Sequence, residues 1–353
     1  MAKSIRVGVI GLIHDQAWRH LEQLAEESEA TLVAVADPNQ PLLDRARSLF
    51  GCEVYPSCEK MLDIEPLDAV LVFNDSGSAA ELAGWALDLG LHVMIERPMA
   101  TSSAAAQTVL AARDHGNARL MVHWSIAFWP QMQAALELVN EGQLGDVYHV
   151  RFRAAHPGPR EMGFSKFCTE WMLDPTRGGG ALLDCGGFGV AVARMFIGQP
   201  KQVAASVGQF RQPALPVEDN ATIVMDFARA TAVAEASWSQ IGELTSYAAA
   251  IYGTKGTLLV EPYQGGQLWY SDAKQPGGQA IMAPPGDKTM RHGTAHFISC
   301  LRDGRPFHPM CEGEIGRDVL QTLDAARRSA HEGSRVAVAE THQQAEQLAD
   351  VVG

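Results

Sequence analysis

A glycine-containing turn near the amino terminus has the residue pattern of a phosphate-binding loop. The apolar run Ile5–Ile10 predicts a buried strand. Gly8 lies within this run, and Gly11 follows it directly. In the dinucleotide-binding pattern G-x-G-x-x-G, Gly11 takes the first position, but Ile13 and Gln16 replace the second and third glycines. Those two glycines normally let the backbone approach a pyrophosphate and let the helix pack closely on the strand. The motif by itself is therefore a weak indication of a dinucleotide site.

An acidic residue at the end of the next predicted strand strengthens this interpretation. Asp37 follows the apolar run Thr31–Ala36, where a carboxylate can accept both ribose hydroxyls of NAD and repel the 2′-phosphate of NADP. A turn or capping role for the Asp37-Pro38 pair is the structural alternative. We predict NAD as the cofactor, with NADP less favoured. The predicted cofactor contacts are Gly8, Gly11, Ile13, His14, Asp37, Asn74, Glu96 and Pro98.

The elements that would position these residues alternate between strands and helices over residues 1–123. Apolar runs predict buried strands, and apolar residues at helical spacing predict helices. Such alternation is typical of βαβ units and a parallel sheet. The predicted strands are Ile5–Ile10, Thr31–Ala36, Ala69–Phe73 and His92–Ile95. The predicted helices are Trp18–Ala25, Pro41–Phe50, Ala79–Leu89 and a segment that begins after an N-cap at Thr101 and ends at Gly116.

From residue 124 the pattern changes, which predicts a second domain at 124–338 and a polar tail at 339–353. Tyr148–Ala154 alternates between apolar and polar residues, as does a half-exposed strand of an antiparallel sheet. The remaining predictions are hairpins at Ala221–Phe227 with Ala232–Trp238 and at Ala248–Tyr252 with Thr257–Val260, helices at Pro130–Asn140 and Glu314–His331, and a loop at Gln275–Gly286.

Composition argues against several classes of partner. The chain has 353 residues, enough for two domains, and a formal net charge of −13. That charge disfavours nucleic acid and anionic membranes, which clustered Lys and Arg bind, and no apolar run is long enough to span a bilayer. None of the six cysteines forms a C-x-x-C pair, so we predict reduced thiols, no metal site and a cytoplasmic location.

Six short motifs together resemble those of a known enzyme family. They are Gly8-Val9-Ile10-Gly11, Glu96-Arg97-Pro98, Glu141-Gly142-Gln143-Leu144-Gly145, the segment 178–186 (GGGALLDCG), Gly253-Thr254-Lys255-Gly256 and Ser329-Ala330-His331-Glu332-Gly333. In order and spacing they resemble the Gfo/Idh/MocA oxidoreductases, which include glucose–fructose oxidoreductase and inositol dehydrogenase. The resemblance implies an α/β fold with an N-terminal Rossmann parallel sheet and a C-terminal α/β domain. That second domain would carry a large open, mostly antiparallel sheet for substrate binding and oligomerisation.

The resemblance also implies hydride transfer between a nicotinamide and a carbinol carbon of a sugar, cyclitol or related polyol. Family members combine Glu-Lys-Pro after a Rossmann strand with an Asp that is followed four residues later by His or Tyr. In this chain Arg97 replaces the lysine, and Phe188 stands four residues after Asp184. Arginine stays protonated at neutral pH and phenylalanine carries no proton, so the usual proton relay is missing.

Four residues are candidates for an altered catalytic set. Asp184 is the best remaining base, and Arg97 can bind an oxygen or carboxylate of the substrate. His156 lies in a loop expected to overhang the cleft, where a histidine can titrate near neutral pH. Lys166 lies in the segment expected to cover the cleft and could replace the lost lysine. Backbone contacts, salt bridges or plain solvation are the structural alternatives for these residues.

Three functions stay open from the sequence. The chain is an NAD-dependent oxidoreductase, a dinucleotide- or sugar-binding regulator without catalysis, or a lyase or hydrolase on the same fold. The lost glycines and proton relay favour the regulator, whereas Asp37, Asp184 and the complete second domain favour the oxidoreductase, which we prefer. We expect a small-molecule polyol or sugar as substrate. We also expect a homodimer or homotetramer, because an open sheet face is rarely left uncovered.

Overall fold

The computed structural model describes residues 4–242, 244–261, 266–283 and 287–338. Within these ranges the chain forms two sheets with helices packed against them, which is an α/β architecture. The predicted tail at 339–353 and residues 284–286 of the predicted loop lie outside the described residues. Among the helices of the described ranges, none combines the length and the apolar character needed to cross a membrane.

The first sheet contains six parallel strands in the order β3-β2-β1-β4-β5-β6. All four strands predicted for this half are present. Their residues are buried at the centre of the sheet because helices cover both faces, as expected from their continuous apolar runs. The strands are β1 Ile5–Ile10, β2 Ala30–Ala36, β3 Glu53–Tyr55, β4 Ala69–Val72, β5 His92–Glu96 and β6 Leu120–His123.

Five helices connect these strands. The strand β3 and the helix that follows it are too short to show a hydrophobic period, so the sequence did not predict them. The N-cap prediction was wrong by one residue, because the Ser102 side chain, rather than Thr101, accepts the hydrogen bond from Ala105 N. The helices are α1 Gln16–Ala25, α2 Gln40–Phe50, α3 Cys58–Ile64, α4 Ser76–Asp88 and α5 Ser103–His115.

The strand order of the first sheet reverses between β1 and β4. In open parallel sheets, ligands bind in the crevice at the carboxyl ends of the strands beside such a point. Gly11 follows β1 there, Asp37 follows β2, Asn74 lies just beyond β4 and Glu96 ends β5. The fold therefore places several of the predicted cofactor residues along one edge of the sheet.

The second sheet has nine strands in the order β14-β13-β12-β11-β7-β10-β9-β8-β15. Every neighbouring pair is antiparallel except β7 and β10, so the prediction of an antiparallel partner for Tyr148–Ala154 holds on one side only. A helical crossover leads from β7 to β8, and the two antiparallel steps from β8 to β9 and from β9 to β10 leave β10 parallel to β7. The strands are β7 Val147–Ala155, β8 Gln202–Gly208, β9 Asn220–Asp226, β10 Thr231–Ser237, β11 Ala248–Gly253, β12 Gly256–Val260, β13 Leu268–Asp272, β14 Gln279–Ile281 and β15 Val336–Ala337.

One predicted loop contains a strand. Gln279–Ile281 forms β14 and pairs antiparallel with β13, although Gln275–Gly286 was predicted to be a loop throughout. Three residues are too few for alternation to appear in the sequence, and the neighbouring strand supplies the hydrogen bonds that hold them extended. Both predicted hairpins are present, as β9–β10 and β11–β12.

The described residues also form five more α-helices. The helix α8 packs on the inner face of the second sheet, where Gly189 permits a close approach: an added Cβ would lie 2.5 Å from Ala234 Cβ. The long helix α10 contacts both α5 of the first half and β8 of the second, so it joins the two sheets. The helices are α6 Pro130–Asn140, α7 Lys166–Met172, α8 Gly187–Phe196, α9 Gly293–Asp303 and α10 Gly313–Glu332.

Candidate active site

The Asp184 carboxylate lies where the two halves of the molecule meet. It belongs to a wide helical turn, Leu182–Gly186, that leads into α8. The glycine run before it permits this path, because Gly180 has φ +112° and an added Cβ would collide with the Glu218 carboxylate. Asp184 is thereby held with its side chain 14% exposed and facing the end of β5.

Arg97 of the first half makes the principal contact with this carboxylate. Its Nη1 donates to Asp184 Oδ1 at 2.8 Å and to the Asp184 backbone oxygen at 2.5 Å. The guanidinium carbon also lies 4.4 Å from the centre of the Phe188 ring, a cation–π contact. The two departures from the family pattern, Arg97 and Phe188, thus touch each other in the structure.

His156 reaches Asp184 from the end of β7. Its Nε2 lies 3.0 Å from Asp184 Oδ2, and its Nδ1 accepts a hydrogen bond from Gly158 N at 3.1 Å. Because Nδ1 is the acceptor, Nε2 carries the proton and donates to the carboxylate. The ring is buried, and its contact with Asp184 matches the structural role that was the alternative for His156.

Trp238 is a fourth member of this group that the sequence did not identify. Its Nε1 donates to Asp184 Oδ2 at 2.7 Å, and Cys185 Sγ lies 3.4 Å from the same oxygen. Trp238 and His156 follow β10 and β7, which run parallel with Ser237 opposite Ala155. The parallel pairing, which the sequence could not show, is what brings the two side chains together.

The electrostatics of Asp184 argue against its use as a base. Burial alone would raise its pKa, but the charge of Arg97 and the hydrogen bond from His156 outweigh burial and hold the pKa well below its usual range. Such a carboxylate stays ionised at neutral pH and accepts a proton poorly. Asp184 is therefore suited to anchoring Arg97 and His156.

The turn after β1 is built around Gly11 and Asp37. Gly11 has φ +85°, and an added Cβ would lie 2.7 Å from Phe73 O and 3.1 Å from Asn74 Cβ, so no other residue fits. Asp37 is 2% exposed and accepts from Leu12 N at 2.7 Å through Oδ2 and from Asn39 N at 2.7 Å through Oδ1. The turn-forming role of Asp37 is thus present, and a carboxylate retains further lone pairs for a ligand.

Three other predicted cofactor residues near this turn differ in what their side chains or backbone contact. Ile13 is buried in the core rather than projecting from the turn. The centre of the His14 ring lies 5.5 Å from that of Trp171 of the second half, with the rings tilted by 34°, and burial lowers the His14 pKa. Gly8 lies inside β1, where an added Cβ would lie 2.7 Å from Leu67 Cδ1, so its contact is with the chain that precedes β4.

The Glu96-Arg97-Pro98 segment ends β5 with a cis bond before Pro98, which is buried. Glu96 Oε1 lies 3.7 Å from Arg97 Nε, and Glu96 Oε2 lies 2.7 Å from His123 Nδ1. Burial alone would raise the pKa of Glu96, but the charge and hydrogen bond of His123, with help from His14, lower it to about 2. Glu96 is therefore a buried, ionised neighbour of Arg97.

Lys166 is the predicted residue that the structure does not bring to this site. Its side chain is 81% exposed, and its Nζ lies 3.7 Å from a carboxylate oxygen of Glu170 one helical turn away. The neighbouring backbone, by contrast, closes on the first half: Ser165 N donates to Asp15 Oδ2 at 2.7 Å. The segment therefore contacts the first half through its backbone, while the Lys166 side chain extends into solvent.

Tyr247 is a further residue that the sequence did not single out. Its ring lies 5.4 Å from the Phe188 ring in an edge-to-face arrangement, and its backbone has φ +56°, an uncommon conformation for a tyrosine. Burial alone would lower the pKa of Arg97, but Asp184, Glu96 and then Tyr247 raise it. Tyr247 therefore packs against the same Phe188 ring that contacts the Arg97 guanidinium, an arrangement that arises from the tertiary fold.

Comparison with known proteins identifies the family. Residues 5–124 match a family model described as an oxidoreductase family with an NAD-binding Rossmann fold, and residues 132–259 match the Gfo/Idh/MocA C-terminal domain. The chain belongs to the Gfo/Idh/MocA oxidoreductases. The family resemblance inferred from the six motifs and the two-sheet fold that it implied are both confirmed.

Several of the relatives have names from sugar chemistry. The dTDP-3,4-didehydro-2,6-dideoxy-α-D-glucose 3-reductase of Saccharopolyspora spinosa is 24% identical over 91% of this chain and 95% of its own length. The D-xylose 1-dehydrogenase (NADP⁺) 2 of Haloferax volcanii is 27% identical over 88% of this chain and 93% of its own length. A levoglucosan dehydrogenase solved with NADH has a TM-score of 0.82 at 20% identity, covering 96% of this chain and 100% of its own. The last comparison supports the fold alone.

Proposed function

We propose that this protein is an NAD-dependent dehydrogenase or reductase that transfers hydride at a carbinol carbon of a sugar, cyclitol or related polyol. The observation that carries the proposal is the Arg97–Asp184 pair, which joins the end of a Rossmann strand to the second domain. A substrate bound beside this pair would lie at the carboxyl edge of the parallel sheet, where ligands of this fold bind. The sugar-linked names of the relatives support the substrate class.

The residues at the β1 turn fit a dinucleotide. The Gly11 turn and the start of α1 offer backbone N–H groups to a pyrophosphate, and Asp37 offers a carboxylate to a ribose. We infer a preference for NAD because the Asp37 charge would repel a 2′-phosphate. When bound, the nicotinamide would supply or accept the hydride. Glu96, Pro98, His14 and Asn74 stay candidate contacts for the cofactor.

The proton of the substrate hydroxyl needs a separate carrier. Arg97 is always protonated and Asp184 is held ionised by its partners, so neither serves as a base at neutral pH. We assign to Arg97 the binding of the substrate oxygen and to Tyr247 the proton transfer, because the Tyr247 ring packs on the Phe188 ring that also contacts the Arg97 guanidinium. His156 and Trp238 act as positioning residues, since their N–H groups are engaged by Asp184.

Two measurements on the purified chain test the proposal. Titration with NADH, followed by the fluorescence of the reduced nicotinamide, should show saturable binding, and NADPH should bind more weakly. A panel of aldoses, cyclitols and polyols with NAD⁺ should then yield NADH absorbance, which the Arg97→Met variant should lose. A chain that binds neither nucleotide at millimolar concentration would refute the proposal, and binding without turnover on any substrate would favour the regulator.

Self-association through the second sheet stays part of the proposal. The face of this sheet that does not pack on α8 displays Arg151 and Leu259, which are 57% and 44% exposed. We infer a homodimer or homotetramer that covers this face, to be tested by light scattering coupled to gel filtration. The cytoplasmic location stays a prediction.

A further inference from the structure

A second cluster of ionisable side chains shares Glu96 with the candidate active site. Glu96 Oε1 faces Arg97, whereas Oε2 faces His20 of α1 and His123 of β6. The potential ligand atoms of His20, Glu96 and His123 all lie within 4.8 Å of one another. All three side chains are buried, at 2%, 7% and 6% exposure. None of the roles assigned above uses the two histidines.

The hydrogen bonds of His20 determine which of its two ring nitrogens is unprotonated. His20 Nδ1 lies 2.8 Å from Thr294 Oγ1, and the Thr294 hydroxyl donates its own proton to Gln23 Oε1 at 3.1 Å. Thr294 therefore accepts from His20 Nδ1–H, and the neutral ring presents an unprotonated Nε2. That lone pair faces Glu96 Oε2, which is also an acceptor.

The two acceptors stand 3.9 Å apart, which is too long for a hydrogen bond and suits a shared metal ion. Metal bonds of about 2.0–2.2 Å to nitrogen and oxygen hold two tetrahedral ligands roughly 3.4 Å apart, so closure by about half an ångström completes the pair. His123 Nδ1, 2.7 Å from the same Glu96 oxygen, becomes the third ligand when its proton is released. Two histidines and one carboxylate form a familiar ligand set for Zn²⁺.

The surroundings supply the other features of a metal site. Thr294 fixes the orientation of His20 from behind, the arrangement that metal-ligating histidines generally have. On the front, a cavity of about 300 Å³ that includes Gln16 and Ser125 in its lining reaches His20 and His123. The cavity provides an entry path and room for water in the remaining coordination position.

A neighbouring group of potential ligands is less suitable. His156, Asp184 and Cys185 also lie within 4.8 Å of one another. The Arg97 guanidinium, however, donates directly to the Asp184 carboxylate at 2.8 Å, which places a permanent positive charge where a cation would sit. At the first cluster the nearest approach of Arg97 is to the opposite oxygen of Glu96.

We propose that His20, Glu96 and His123 form a binding site for a divalent first-row metal ion, with Zn²⁺ as the matching probe. The ion would link α1 to the ends of β5 and β6 and would hold the Glu96 carboxylate in place beside Arg97. The site shares Glu96 with the proposed cofactor contacts, but metal binding can be measured without substrate or dinucleotide, so its test does not depend on the dehydrogenase activity.

Calorimetric titration of the chelator-treated full chain with ZnCl₂ tests the proposal without any activity measurement. We expect one Zn²⁺ per chain, and His20→Gln and His123→Gln should each weaken the affinity roughly tenfold or more. Thr294→Val, which keeps the shape but removes the hydroxyl, should weaken it to a smaller extent. The matched control is His292→Asn, which lines the same cavity, keeps an acceptor for Ala295 N and should bind Zn²⁺ as the original chain does.

Circular dichroism of each variant shows which variants have retained the fold. If one of the two histidine variants does not fold, the other still tests the proposal. Absence of stoichiometric Zn²⁺ binding by the original chain would overturn the proposal. Binding that survives both His20→Gln and His123→Gln would also overturn it. Binding lost in Cys185→Ser but kept in His20→Gln would place the ion at the neighbouring group and refute the assignment.

Discussion

Replacement of Asp184 by Asn probes the contact on which the proposed site depends. In the present structure Asp184 Oδ1 accepts from Arg97, while Oδ2 accepts from His156 and Trp238. An asparagine has a single oxygen and one NH₂ group in these positions. Whichever way the amide is turned, its NH₂ faces at least one N–H donor, and Arg97 loses its counter-charge.

The burial of the pair determines the size of the effect. The Arg97 and Asp184 side chains are only 13% and 14% exposed. Removing one partner of a buried ion pair costs about 3–5 kcal/mol, because the other charge stays buried without a partner. For a domain of this size each kcal/mol corresponds to about 2–4 °C, so we expect Asp184→Asn to lower the melting temperature by roughly 6–20 °C.

Thermal unfolding followed by circular dichroism measures this shift, with Glu170→Gln as the control. Glu170 pairs with Lys166 at the surface, where ion pairs contribute little, so its loss should leave the melting temperature unchanged. Adding Arg97→Met to Asp184→Asn should restore part of the lost stability, since it removes the unpaired charge. The buried-pair account is refuted if Asp184→Asn has the same melting temperature as the original chain. It is also refuted if adding Arg97→Met only lowers the melting temperature further.

Three further predictions follow from the same geometry. Lys166→Met should leave kcat and KM unchanged because the ammonium group contacts only solvent and Glu170; a large loss in steady-state assays would contradict this placement. Tyr247→Phe should lower kcat by about 100-fold or more while NADH still binds, and an unchanged kcat would exclude Tyr247 as proton carrier. The lowered pKa values of Asp184 and Glu96 stabilise the fold above the unfolded value near ~4, and this stabilisation is lost as the pH falls; a melting temperature that stays flat from neutral pH to about pH 3 would contradict it.

Much of the fold could be predicted from the sequence, because the central strands and helices each have a recognisable local pattern of apolar residues. A parallel strand covered on both faces must be apolar throughout, which is why Ile5–Ile10 was located to the residue. The sequence did not predict the short strands Glu53–Tyr55 and Gln279–Ile281, because three residues are too few to show hydrophobic alternation. Hydrogen bonds from a neighbouring strand hold each of them extended. The same dependence on neighbours explains why the parallel pairing of β7 with β10 was not foreseen.

The candidate site was predictable only in part. The motifs identified Arg97 and Asp184, although 87 residues separate them along the chain. The roles expected of the others depended on where their side chains point. His156 was expected in a loop over the cleft, and its ring is buried with both nitrogens engaged. Lys166 was a candidate to replace the lost lysine, with solvation as the alternative, and its ammonium group lies in solvent.

The sequence by itself determined the alternation of the longer strands and helices of the first half, the family and the chemical types available at the carboxyl edge of the first sheet. The tertiary structure decided which of those groups meet, which are desolvated and which are charged. Asp184 illustrates the division: its identity is local, but its depressed pKa arises from Arg97 and His156, brought by two other strands. Charge and burial are properties of an assembled environment, so a pattern of residues along one chain cannot specify them.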